Sequence, residues 1–145
     1  MFAHAFSRGG LSAIVSATLF AAVFSAGAAQ AAETKVSLSG AEETPAVTTS
    51  ASGQGTIVVN ADKTVSGSVT TQGINGTAAH IHLGAPGQKG GPVITLAKSG
   101  DGVWSVPAGS TLTDDQYASY KAGNLYINVH SAENKGGEIR GQIKP

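Results

Sequence analysis

Leu125-Tyr126-Ile127-Asn128-Val129-His130 alternates apolar and polar side chains without a break. Successive side chains of an extended strand point to opposite faces. A period of two therefore predicts a half-buried β-strand, with Leu125, Ile127 and Val129 on the core side and Tyr126, Asn128 and His130 on the other. Ala79-His80-Ile81-His82-Leu83 repeats the pattern. Placing Ala79, Ile81 and Leu83 inside leaves His80 and His82 together on the far face, about 7 Å apart. The closing run Glu138-Ile139-Arg140-Gly141-Gln142-Ile143 does so again, with Ile139 and Ile143 inward and Glu138, Arg140 and Gln142 outward.

Around these runs the chain alternates short Val, Ile and Thr stretches with Gly, Asn, Asp and Pro punctuation, the signature of an all-β sandwich or barrel. Strands are expected at residues 35–39, 55–60, 64–71, 77–83, 93–97, 103–106, 124–130 and 138–143. Eight strands make an antiparallel, Greek-key-like sandwich or flattened barrel. Asn60-Ala61-Asp62-Lys63 reads as a hairpin turn. One short helix is expected at about 114–122: Thr113 caps it with Gln116 three residues later, Leu112 and Tyr117 form a hydrophobic staple, and Gly123 stops it. Trp104, Tyr117 and Tyr120 read as core or lid residues. Residues 44–55 and 84–92 are loops by composition, and the second begins two residues after His82.

Residues 1–31 read as a secretory signal peptide: one basic residue, Arg8, an apolar stretch from Leu11 to Phe24, and the small-residue ending Ala29-Gln30-Ala31. The apolar stretch is shorter than the roughly 20 residues that span a bilayer. The expectation is an exported protein, periplasmic or secreted, with no membrane anchor after cleavage and a single β domain over residues 32–145. That domain holds eight Lys and Arg against nine Asp and Glu, a formal net charge of −1, and shows no basic face for nucleic acid. The chain has no cysteine. Disulfides, iron–sulfur clusters, thiolate zinc sites and cysteine nucleophiles are therefore excluded.

Three of the four histidines lie beyond residue 31. His80, His82 and His130 on one sheet face form a three-imidazole candidate site, surrounded by Tyr126, Asn128, Glu138, Arg140 and Gln142 as partners that fix ring orientation. Three imidazoles without a thiolate suit copper or zinc, and the order of divalent affinities favours copper. Zinc with three histidines and an open position activates water, but Glu138 is the only acidic candidate on this face and pairs on paper with Arg140, which argues against a general base. The alternative is a polar sheet face whose side chains hydrogen-bond across strands and bind no metal. No residue is assigned a catalytic role.

Four motifs together resemble the chordin-type (CHRD) domain: Leu38-Ser39-Gly40-Ala41-Glu42-Glu43-Thr44-Pro45-Ala46-Val47, Ala78-Ala79-His80-Ile81-His82-Leu83-Gly84, Gly123-Asn124-Leu125-Tyr126-Ile127-Asn128-Val129-His130 and Gly137-Glu138-Ile139-Arg140-Gly141-Gln142-Ile143. That resemblance implies an extracytoplasmic β domain, found alone in bacteria and as repeats in animal extracellular proteins, without a well-established activity. A second resemblance is to copper/zinc superoxide dismutase, in which a His-x-His strand and a later Val-His supply copper ligands. His80, His82 and His130 match those positions and Arg140 loosely matches the anion-guiding arginine, while the bridging histidine, the zinc ligands and the disulfide cysteines have no counterpart. The expectation is a binding protein that holds one copper ion rather than an enzyme. The alternatives are a metal-independent structural or interaction module with an extracytoplasmic protein partner, and a copper-dependent redox enzyme.

Overall fold

The computed structural model of the chain describes residues 1, 2 and 31–145. The expected signal peptide thus lies outside the described residues in all but its ends. Nine strands follow in order: β1 (Ala32–Ser39), β2 (Ser52–Val59), β3 (Val65–Gln72), β4 (Gly76–Leu83), β5 (Pro92–Thr95), β6 (Ala97–Gly100), β7 (Val103–Ser105), β8 (Leu125–Ser131) and β9 (Ile139–Ile143). They form one antiparallel sheet in the order β5-β4-β8-β9-β1-β2-β3-β7-β6.

The two edge strands, β5 and β6, are consecutive in the chain with Leu96 alone between them. The sheet must therefore curl until its edges nearly meet. Thr95 pairs with His80 on β4, the Leu96 N–H donates to Ala79 O at 2.9 Å, and Ala97 then pairs with Ser105 on β7. The result is an almost closed barrel, a solution that leaves little unpaired edge for another chain to join. The expected strand at 93–97 is in fact the corner at which the chain changes partners. Ala97–Gly100, exposed throughout and without alternation, is the ninth strand that periodicity does not reveal.

Inside the barrel lie Val36 and Leu38 of β1, Ile57 and Val59 of β2, Val65 and Val69 of β3, Ala79 and Ile81 of β4, Leu125, Ile127 and Val129 of β8, and Ile139 and Ile143 of β9. These are the inward positions that alternation selects, with one exception. Leu83 ends β4 at the barrel rim and is 40% exposed. Trp104 and Tyr120 are buried in the same core and Tyr117 packs against it.

The helix α1 (Asp114–Lys121) carries both halves of its capping box: Gln116 N–H donates to Thr113 Oγ1 at 3.2 Å and Thr113 N–H donates to Gln116 Oε1 at 2.9 Å. Gly123, at φ +76°, ends it in a conformation that a side chain resists. A 3₁₀ turn at Gly40–Glu42 follows β1 and delivers Glu43 to the sheet face described next.

Candidate metal centre

Strand β8 is buried on both of its faces. Its inward residues meet the apolar core, and its outward residues meet a second, polar layer closed by loops. Register fixes that layer. Asn128 stands opposite His80 on β4 and opposite Arg140 on β9, while Tyr126 stands between His82 and Gln142. Ala78 is the partner of His130. On one face, Asn128 is therefore flanked by His80 across the strand, His82 on the diagonal and His130 two residues on.

The three imidazoles meet. His80 Nδ1 lies 3.0 Å from His130 Nε2. Ring centroids are 5.4 Å apart for His80 and His82, 4.9 Å for His80 and His130, and 6.1 Å for His82 and His130. One ligand nitrogen from each ring falls within 4.8 Å of the other two, so the trio could hold a metal ion. Bonds of about 2 Å from each nitrogen to one ion need nitrogens within about 4 Å of one another, so loading would draw the rings together.

Hydrogen bonds select which nitrogens point inward. His82 Nδ1 donates to Gly90 O at 2.9 Å and His130 Nδ1 donates to Lys135 O at 2.8 Å. Each bond leaves Nε2 as the lone-pair atom, a carbonyl-fixed tautomer of the kind that orients metal-ligating histidines. With His130 Nε2 an acceptor, the His80 Nδ1–H is the donor between the two rings. Binding of an ion there requires that proton to move to the other ring nitrogen. His82 Nε2 is buried and has no partner. A buried nitrogen without a hydrogen-bond partner, on a ring beside two other imidazoles, fits a cation. Burial, followed by the neighbouring imidazoles, lowers the pKa of His80 below its ordinary value. Burial is also the largest cause for His82 and outweighs the opposing influence of Gly90 and Asn128, with His130 and Arg140 adding smaller downward effects. Both rings are thus biased to the neutral, ligating form.

The remaining face residues divide into two groups. Arg140, 1% exposed, donates through Nη1 to Gln88 O at 2.7 Å and through Nη2 to Ala85 O at 3.0 Å and Gln142 Oε1 at 3.1 Å. Gln142 Nε2 donates to Gly84 O and Gly123 O, both at 2.8 Å. The loop at 84–91 is thereby strapped down over the sheet. Tyr126 completes the strap: the Arg140 guanidinium carbon sits 3.5 Å from its ring centroid, the His82 ring stacks on it at 4.9 Å and 5°, and its hydroxyl accepts from Gly90 N–H at 3.2 Å. The face is therefore a covered layer and not a solvated surface.

Glu138 belongs elsewhere. It accepts from Thr49 Oγ1 at 2.7 Å, and hydrogen bonds from Ser131 outward hold its carboxyl below the usual range. It does not pair with Arg140; the one ion pair among the described residues is Lys63 with Asp114. Glu43 occupies the place that sequence reasoning gave to Glu138. It is buried, accepts from Asn128 Nδ2 at 3.4 Å, and burial raises its pKa against the opposing influence of Asn128, Arg140 and His130. Glu43 sits in an aperiodic turn 85 residues from Asn128, and only its place in the Leu38-to-Val47 motif marked it out.

Gly137, at φ +123°, lets this pair form, because a Cβ there would collide with the Glu43 carboxylate and the Asn128 amide. Gly137→Ala is expected to cost more than about 2 kcal/mol, combining backbone strain with a displaced buried hydrogen bond. Urea unfolding measures it, and a loss below about 0.5 kcal/mol would contradict the packing described.

Fold and site together define a small antiparallel β module with an apolar barrel core and a polar, histidine-bearing layer on one outer face. A family model for the CHRD domain matches residues 34–143, and the chain belongs to the CHRD domain family. Domains of this family are typically extracellular, which points to an extracellular binding module. No curated protein and no solved structure gives a significant match. Among the described residues no helix is long and apolar enough to cross a membrane.

Proposed function

We propose that this protein is an exported CHRD-domain binding protein that holds one copper ion through His80, His82 and His130. The observation that carries the reading is the convergence of three imidazoles, two of them locked by carbonyls with Nε2 inward. Three nitrogen donors without sulfur favour copper over zinc in the affinity order. The apo fold does not depend on the metal, because the apolar core and the loop strap are complete without it. Storage, delivery or protection of copper outside the cytoplasm is the corresponding role.

Export rests on residues 1–31, whose basic start, apolar middle and Ala29-Gln30-Ala31 ending match a cleaved signal. N-terminal sequencing of protein recovered from outside the cytoplasm should begin at Ala32. Recovery of uncleaved chain from the cytoplasm would contradict it.

A redox enzyme is the less favoured reading. The guiding role that the dismutase resemblance would give Arg140 needs a guanidinium open to an incoming anion, whereas this one is buried, bonded to two loop carbonyls and stacked on Tyr126. A metal-independent interaction module remains the alternative that family membership supports, and it predicts partner binding that survives both chelation and removal of the histidines.

The pKa shifts set the pH dependence. Imidazoles ordinarily titrate near 6.5, and His80 and His82 lie below that in the folded chain. The unfolded chain takes up its protons first, so this contribution to apo stability is fully present above about pH 6.5 and is lost as pH falls through the lowered folded-state values. Protons compete with the metal at His80 and His82 in that lower range. Copper affinity should therefore fall more steeply below about pH 6.5 than above it, as competition titrations at stepped pH will read. A tenfold loss already at pH 6.5 would show ordinary, solvent-exposed imidazoles.

A further inference from the structure

We propose that Asn128 supplies a fourth donor, its side-chain oxygen Oδ1, so that the site is three imidazole nitrogens plus one amide oxygen. The proposal rests on the three-histidine reading and specifies which state of the metal the site takes.

Asn128 is 2% exposed and sits at the middle of the histidine lattice, opposite His80 in register and two residues from His130. Its amide orientation is fixed by chemistry. Nδ2 faces two acceptors, Glu43 Oε1 at 3.4 Å and Gly136 O at 3.5 Å. Reversing the amide would set oxygen against two oxygens. Oδ1 is therefore turned away from Glu43 and Gly136 O, and in the β4–β8 register its neighbouring imidazoles are His80 across the strand and His82 on the diagonal.

Oδ1 is buried and has no hydrogen-bond partner, and the same holds for His82 Nε2. With His82 Nδ1 committed as donor to Gly90 O, both orphaned atoms are lone-pair acceptors. Buried polar groups are almost always satisfied, so two unpaired acceptors side by side call for a shared electron-pair acceptor. A cation meets that need and also engages the nitrogens of His80 and His130. Glu43 acts through Asn128: it holds Nδ2, so that Oδ1 keeps its aim, and it places a carboxyl near a site that gains positive charge on loading. A hard amide oxygen beside three imidazoles suits a divalent ion, Cu(II), better than soft Cu(I).

The test compares wild type, Asn128→Leu, Asn128→Asp and His80→Ala/His82→Ala. Each is titrated with Cu(II) against a chromophoric competitor, and the loaded protein is read by electron paramagnetic resonance. Asn128→Leu should still bind one copper but about 10–100-fold more weakly, with altered copper hyperfine splitting. Asn128→Asp keeps an oxygen in place and should bind at least as tightly as wild type. Both variants lose the Nδ2 donation to Glu43, so the difference between them reports the oxygen. Wild-type affinity and an unchanged spectrum in Asn128→Leu would overturn the proposal, as would equal weakening in both variants. If Asn128→Leu does not fold, Asn128→Asp decides: affinity at or above wild type with a shifted spectrum supports the oxygen donor, and weaker binding overturns it. Wild-type protein that binds no copper, or binds it equally after loss of His80 and His82, would instead overturn the three-histidine reading.

Discussion

Loading with copper at 100 times its dissociation constant should raise the melting temperature of the wild-type domain by on the order of 10 °C and leave that of His80→Ala/His82→Ala unmoved. A ligand that binds only the folded state adds RT ln(1 + [L]/Kd), about 2.7 kcal/mol at that concentration. For a domain of this size each kcal/mol moves the midpoint by roughly 3–6 °C. The quantity to compare is the shift on loading, because His82 stacks on Tyr126 and its removal lowers the starting stability of the apo protein. Equal shifts in both proteins would mean that copper is held elsewhere.

The second large effect is expected at Arg140. Its guanidinium is buried and donates to three oxygens, Gln88 O, Ala85 O and Gln142 Oε1, of which Ala85 O also accepts from Gln88 N–H. Arg140→Ala removes all three charge-assisted bonds, the contact with Tyr126 and the volume of a large side chain. Each hydrogen bond to a charged group contributes roughly 1.5–3 kcal/mol, and orphaned buried acceptors add to the cost. A total loss of about 3–5 kcal/mol in urea unfolding is expected, together with faster hydrogen exchange in residues 84–91 as the strap lifts. Arg140→Lys should recover only part of this, since a single ammonium cannot span the loop carbonyls that the planar fork reaches together. A loss under 1 kcal/mol for Arg140→Ala would show that the loop is held by other contacts.

Much of this arrangement was legible in the sequence because a strand has a period of two. Leu125, Ile127 and Val129 against Tyr126, Asn128 and His130 needed no further information, and neither did the separation of His80 and His82 from Ile81. The helix announced itself through Thr113, Gln116 and Gly123, whose chemistry is local. Alternation assigns a side chain to a face but does not say what covers that face. Arg140, Asn128 and Tyr126 were placed correctly on the non-core side, yet they are among the most buried residues of the domain. The cover is a Gly- and Pro-rich loop whose composition signals only a turn.

The misplacements have related causes. Glu138 stands just before β9, where Gly137 takes a positive φ and the pleat does not yet hold, so counting back from Ile139 sends its side chain the wrong way. Leu83 obeys the alternation but lies at the rim, where nothing remains to bury it. Barrel closure through Leu96 depends on one strand pairing with two partners, a long-range property that Ala97-Lys98-Ser99-Gly100 does not advertise. Glu43 approaches Asn128 from a distant turn for the same reason.

If His80, His82 and His130 act together as one metal site, equilibrium dialysis of the domain spanning residues 32–145 against Cu(II), with electron paramagnetic resonance of the loaded protein, should find one copper per chain. Superhyperfine structure from imidazole nitrogens is expected, and the copper is lost when any one of the three histidines is replaced. Copper retained at the same stoichiometry and with the same spectrum after replacement of His130, or no copper retained by the wild-type chain, would contradict a shared site.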